Sequence, residues 1–278
     1  MARPVKIPQD RGGSWIAGLV LSGAAAALAR GARTLRGTGP MVATLIGTAV
    51  FRAGGLRWSA FLLTFFASAN LLSRLPGSSQ DRLGRTGRQV LANGGVAALA
   101  ALLSRRWPMT SRAFAGAVAA ACADTWATEI GVRYGGPPRH LTMGTRVPPG
   151  TSGGVTWLGT LAGAAGAALC GLAAQATGVA SSGVTVRAGV LGMLLDSLLG
   201  ATLQARYRCP RCGRSGERRR CACGARGQRV SGLCSLDNDG VNLLATAFGA
   251  LVAHRSSGPS PCSLKTGRIP MWKMSSRS

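Results

Sequence analysis

Acidic side chains are scarce in this sequence, with eight among 278 residues against 33 basic ones. A carboxylate inside an apolar run therefore stands out, because burying its charge in lipid costs several kcal/mol unless something compensates it. Lysine is nearly missing as well, at three against thirty arginines, a bias that genomic base composition can produce. The apolar runs lack a polar residue at every turn, which excludes a soluble bundle of amphipathic helices. No good cleavage site follows the first run. Arg3, Lys6 and Arg11 precede Trp15 to Ala29 as in a signal peptide, yet Ala29-Arg30-Gly31 is a poor substrate, so this run is expected to stay in the protein. The net charge of +25 is scattered over many loops and forms no single surface, which fits membrane topology and lipid headgroups and predicts no nucleic-acid partner.

What remains is 46% hydrophobic with 41 glycines. Apolar segments rich in Ala, Gly and Leu recur at about 14–29, 40–51, 58–73, 89–104, 112–130, 154–175, 186–204 and 238–254. They predict an all-α, polytopic membrane bundle of about six to eight helices in which small residues let backbones approach. Arg52, Gly54, Gly55 and Arg57 interrupt the second and third segments, which could form one hairpin that does not fully cross. The connections starting near 30, 74, 131 and 205 carry 19 of the 33 basic residues and are expected to be cytoplasmic, with 205–237 supplying most of the difference. The chain divides into an amino-terminal segment and first helix (1–30), a helical core (31–204), a Cys/Arg-rich loop (205–235), a last helix (236–254) and a tail (255–278) expected to be disordered.

Two of the eight carboxylates lie in Ala123-Asp124-Thr125-Trp126-Ala127-Thr128-Glu129-Ile130-Gly131. Asp124 and Glu129 sit about 140° apart on a helix, so they converge on one ligand only if the helix bends or ends at Gly131. Asp196 is a lone acid in Leu194-Leu195-Asp196-Ser197-Leu198-Leu199-Gly200, and Asp237, Asn238, Asp239 and Asn242 crowd the start of the last segment. Oxygen ligands with few basic neighbours suit magnesium, with Asp124 and Asp239 the first expected ligands. A proton or cation path, helix pairing, or plain N-capping by Asp237 or Asn238 would use the same residues.

Two stretches read as phosphate-binding. Arg85 and Arg88 precede the fourth segment, and Gln89 and Asn93 share a face beyond them. Arg146 opens Arg146-Val147-Pro148-Pro149-Gly150-Thr151-Ser152-Gly153-Gly154, where Gly150, Gly153 and Gly154 free the backbone just before a helix expected to start near Gly154. No Gly-Lys-Ser/Thr follows, so this is not a Walker A loop. Cytoplasmic anchoring by the arginines and a simple re-entrant turn are the bland alternatives, and His140 is read as an ordinary loop residue. Cys209-Pro210-Arg211-Cys212 followed by Cys221-Ala222-Cys223 matches a four-thiolate structural zinc site in a zinc-ribbon-like cytoplasmic insertion, with redox chemistry or disulfides as the alternatives. Cys122 and Cys170 are read as packing residues.

The stretches GRTGRQVLANGG (84–95), ADTWATEIG (123–131), VPPGTSGGV (147–155), LLDSLLGATLQ (194–204) and LDNDGVNLL (236–244) together resemble the integral membrane family known as domain of unknown function 92. That family includes relatives of transmembrane protein 19 and the plant and cyanobacterial phytyl-phosphate kinases. The resemblance runs from about 31 to 253. It implies a membrane phosphotransferase that converts an isoprenoid, phytyl-like monophosphate to its diphosphate, with a nucleoside triphosphate (CTP or ATP) and Mg2+. On this chain it points to Asp124, Glu129, Asp196, Asp237, Asp239 and Asn242 as the catalytic group, with Arg85, Arg88, Arg146 and the 150–154 glycines beside it. The expected surroundings are membrane lipids, in the plasma membrane of a prokaryote. A proton- or cation-coupled transporter is the rival reading, although no inverted halves are visible in the sequence.

Overall fold

The computed structural model describes residues 13–74, 84–217 and 219–256. Seven helices form: α1 (Trp15–Gly31), α2 (Gly39–Ser73), α3 (Gly87–Leu103), α4 (Thr110–Tyr134), α5 (Trp157–Ala176), α6 (Ser182–Thr202) and α7 (Asn238–Arg255). Short-range chemistry sets several starts. Ser14 accepts from the N–H of Ala17, Thr156 from Gly159 and Asp237 from Gly240, while Thr86 and Gln89 form a reciprocal capping box. The tail from 257 and the stretch 75–83 lie outside the described residues.

The interruption foreseen in the second and third segments is real. Gly54 and Gly55 leave helical geometry, with Gly55 at φ +61°, and divide α2 into two arms. The Gly13 N–H bonds the Phe51 carbonyl and Gly47 abuts Ser22, so the first arm runs antiparallel to α1. Trp58 stacks on Phe114, the Trp126 indole donates to Ser68, and Ser73 donates to Glu129, so the second arm runs alongside α4 in the same direction. The arms therefore fold back on each other. Among the described residues the bundle has eight helical rods, and the connections 32–38, 84–86, 135–156, 203–217 and 219–237 share one face.

α4 is the axis. It packs against α2, α3, α5, α6 and α7, and every residue from Ala113 to Ala123 is buried. Only small residues allow such crowding: a Cβ on Gly249 would stand 2.7 Å from the Gly116 carbonyl oxygen, and one on Gly116 would collide with Gly249 in return. Large apolar residues point outward instead, among them Ile16, Leu28, Leu45, Leu91, Leu172 and Leu251. Alanine and glycine inside with leucine outside is the arrangement that lipid solvates and water does not. α5 and α6 are by length and composition apolar enough to cross a membrane.

Two small sheets break the all-helical pattern. β1 (Arg139–His140) pairs antiparallel with β2 (Gly154–Val155), and β3 (Arg206–Arg208) lies between β4 (Ser215–Gly216) and β5 (Gln228–Ser231). The first corrects one sequence expectation: because Gly154 and Val155 are held as strand and Thr156 caps the next turn, α5 begins at Trp157 and not near Gly154. The second sheet forms the framework of the cysteine-rich insertion.

Candidate functional site

The close helix contacts fix which residues share a layer. Gly189 and Gly192 of α6 abut Ala119 and Ala120 of α4, Gly116 faces Gly249 of α7, and Gly192 lies by Ala245. Continuing these registers toward the loop face brings Asp124, Asp196 and residues 241–242 level, so Asn242 lies in the layer of the two acids. The Asp124 and Asp196 side chains hydrogen-bond to each other. Asp196 Oδ1 is buried with no hydrogen-bond partner. Two carboxylates can share a hydrogen bond only through a proton, and an orphaned carboxylate oxygen beside them is a demand for a cation. The donor set, two carboxylates with a nearby amide, is made of hard oxygens and fits magnesium.

Arg85 approaches this layer from the turn before α3. That turn is fixed by backbone bonds from Arg85 N–H to the Thr34 carbonyl and from Arg36 N–H to the Arg85 carbonyl. Burial lowers the Arg85 pKa, while the charges of Glu129 and then Asp124 raise it, so both acids are close enough to act on the guanidinium.

Glu129 acts on Arg85 but also takes partners from α2 and from its own helix. α4 continues without a break to Tyr134, because Gly131 serves as a close-packing point against Gly159 of α5 and not as a hinge. Glu129 accordingly faces α2, accepting from Ser73 at 2.8 Å and pairing with Arg133 at 2.9 Å. Both charged side chains are sealed in, at 3% and 1% exposure, and Arg133 Nε and Nη1 find no partner. Asp237 caps α7 and, with Asp239, binds Arg88 at 2.7 and 3.2 Å. Of the two acids expected first as magnesium ligands, Asp124 meets Asp196, while Asp239 lies about one turn nearer the loop face against Arg88. Arg88 grips carboxylates in this state. Gln89 is spent on its capping box, and the Asn93 amide donates to the Gln89 carbonyl.

The glycine-rich loop is held by protein groups. The Gly154 N–H donates to the Thr151 carbonyl, and the Ser152 N–H donates to Glu217 Oε1 at 2.8 Å. Gly153, at φ +74°, is pressed against Ala201 at the end of α6. Gly150 and Arg146 are exposed, the latter bridging Arg139 through its backbone. Gln204 donates to Glu217 Oε2 at 2.9 Å, and Arg206 donates to the Ser152 carbonyl and to His140 Nε2. His140 is a buried junction and not a free loop residue. Since arginine can only donate, Nε2 accepts, and the Nδ1–H is left to donate to Thr142. Burial, and then the Arg206 charge, lower its pKa. The sequence reading missed Glu217, Gln204 and Arg206; the available signal was that Glu217 is the lone acid in an arginine-rich insertion.

In that insertion Cys209, Cys212, Cys221 and Cys223 converge, their sulfurs all within 4.8 Å of one another. Cys209–Cys223 and Cys212–Cys221 stand at 3.4 Å. Four sulfurs about 2.3 Å from a zinc ion are about 3.8 Å apart, so the cluster fits a tetrahedral thiolate site. The Cys212 backbone N–H, aided by the Cys223 thiol and the Arg211 N–H, overcomes burial and lowers the Cys209 pKa to about 6, favouring the thiolate that binds metal. Cys122 and Cys170 are buried free thiols that lie next to each other across α4 and α5.

Comparison with known proteins agrees with this architecture. The chain is similar to Protein PGR of Arabidopsis thaliana, at 30% identity over 78% of this chain and 88% of that protein. It is also similar to uncharacterised membrane proteins of Methanocaldococcus jannaschii (28% identity, 79% and 84% coverage) and Synechocystis (29% identity, 69% and 82% coverage). No solved structure matches. The family model described as integral membrane protein DUF92 matches residues 20–250, and with a helix bundle built on small residues and clad in leucine, the chain belongs to that integral membrane family.

Proposed function

We propose that this chain is a membrane phosphotransferase that adds a second phosphate to an isoprenoid monophosphate, using a nucleoside triphosphate and magnesium. The observation that carries the reading is the Asp124–Asp196 pair, with its orphaned Asp196 oxygen, set in one layer with Asn242 and approached by Arg85. Magnesium, when held by Asp124 and Asp196, supplies the positive charge that lets two phosphate-bearing substrates meet. Arg85 adds a guanidinium suited to phosphate oxygens and orients the acceptor. A monophosphate oxygen forms the new bond to the γ-phosphorus, the bond to the bridging β–γ oxygen breaks, and the nucleoside diphosphate departs. The attacking oxygen is already anionic, so no side chain has to remove a proton. The leucine-rich flanks leave room for an isoprenoid tail among lipids, and four thiolates holding zinc would brace the insertion over the loop face.

The test is an assay of purified protein in detergent with phytyl or farnesyl monophosphate, magnesium and either CTP or ATP, with products read by mass spectrometry. Diphosphate is expected from the unmodified chain and at least a hundredfold less from Asp124→Asn. The rival reading rests on the same hydrogen-bonded acid pair, which could pass a proton. Folded protein that yields no diphosphate with either nucleotide, yet carries protons or cations into proteoliposomes, would overturn the phosphotransferase reading in favour of transport.

A further inference from the structure

Glu217 sits where the glycine-rich loop offers its backbone to an anion. Its two oxygens are taken separately, one by the Ser152 N–H at 2.8 Å and the other by the Gln204 amide at 2.9 Å. Gln204 is itself buried, at 3% exposure. Beside them Arg206 spans the Ser152 carbonyl and His140. A backbone N–H in a glycine loop, a neutral amide and an adjacent guanidinium make up a donor set suited to one face of a phosphate. The loop rests on Ala201, five residues and about 7.5 Å along α6 from Asp196. Glu217 is also close enough for its charge to act on Asp196. Yet the residue comes from neither loop nor helix. It follows β4 in the insertion, between the two halves of the cysteine cluster, so its reach is set by that small sheet and its cysteines.

We propose that Glu217 is a built-in stand-in for phosphate: it fills the anion subsite of the 150–154 loop in the resting protein and is displaced when a phosphate-bearing substrate arrives. This rests on the phosphotransferase reading for the identity of the substrate, though not for the subsite itself. The displaced carboxylate takes the insertion's hold on the loop with it, so substrate entry and movement of the cysteine-rich unit are one event.

The probe is inorganic pyrophosphate, titrated calorimetrically into the full-length protein in detergent without nucleotide. Glu217→Gln removes the competing charge and sets an amide against the Gln204 amide, so pyrophosphate should bind about tenfold tighter or better, the worth of one charge-assisted hydrogen bond. Glu217→Asp keeps the charge but is too short to reach both donors, and should fall between. In the unmodified protein, pyrophosphate should speed tryptic cleavage after Arg214 and Arg220 as the insertion is released, a readout that needs no variant to fold. Equal or weaker binding by Glu217→Gln, no pyrophosphate binding at all, or cleavage indifferent to pyrophosphate would overturn the proposal. Turnover is not involved: a chain without kinase activity that shows the Glu217 effect loses the phosphotransferase reading and keeps the subsite. An active kinase without the effect does the reverse.

Discussion

Glu129 and Arg133 are one turn apart on α4 and both sealed from solvent, so removing one should cost far more than removing both. Glu129→Gln preserves shape and the Ser73 bond but strands a guanidinium that is 1% exposed and already lacks partners at Nε and Nη1. An uncompensated buried charge of that kind costs about 3–5 kcal/mol. Arg133→Met strands Glu129 instead, but Ser73 and the nearby Arg85 charge remain to steady it, so its cost should sit at or below the bottom of that range. The double variant Glu129→Gln/Arg133→Met removes both charges of this pair and should recover much of the loss, Arg85 keeping the nearby charge of Asp124. With about 2–4 °C of melting temperature per kcal/mol, Glu129→Gln should melt roughly 6–20 °C below the parent. Thermal unfolding in detergent, followed by intrinsic fluorescence for all four proteins, gives the coupling directly. Additive losses, or a Glu129→Gln shift under 3 °C, would refute the claim that this acid is chiefly a structural partner. A stable double variant that has lost all phosphotransfer would show instead that Glu129 takes part in the chemistry.

Other expectations follow from particular contacts. Gly116→Ala places a methyl against the Gly249 carbonyl and should destabilise by about 1–3 kcal/mol, whereas Gly183→Ala, with open space around it, should be neutral or gain up to about 1 kcal/mol; only the Gly116→Ala melt should fall. Cys209→Ser should cut bound zinc from about one equivalent per chain to a small fraction, as read by mass spectrometry of metals, while Cys122→Ser leaves it unchanged. Because the folded state lowers the His140 pKa, the unfolded chain binds the extra proton first. Stability should be flat above about pH 6.5 and fall as pH drops below it, and His140→Gln should flatten that limb of the melting-temperature profile.

The sequence made the rods legible because their signal is compositional and local: each of the eight apolar segments became a helical rod, including the two arms separated by Gly54 and Gly55. The cysteine cluster was legible for the same reason, since ligand spacing is written along a short stretch. The angular separation of Asp124 and Glu129 also held, and the bend that would have cancelled it did not occur because Gly131 serves packing. What stayed hidden were polar partners remote in sequence. Glu217 reaches Ser152 across 65 positions, and Arg88 finds Asp237 from another helix, and neither leaves a local trace. The helix start expected at Gly154 failed because a two-residue strand pairing with Arg139 and His140 outcompeted another half-turn of helix.

The bond between Arg88 and Asp237 also has a history in time. The residues are 149 positions apart, so at ribosomal speeds of about 5–20 residues per second α3 is made roughly 7–30 s before its partner exists. Until α7 is made, the groove of α4 around Gly116 has no Gly249 to fill it. α7 then docks against α3, α4 and α6 together, bringing Asn242 level with the acids. The last helix thus completes the packing around α4, and translation that stalls before residue 238 leaves a membrane protein with an open seam and an incomplete acid layer.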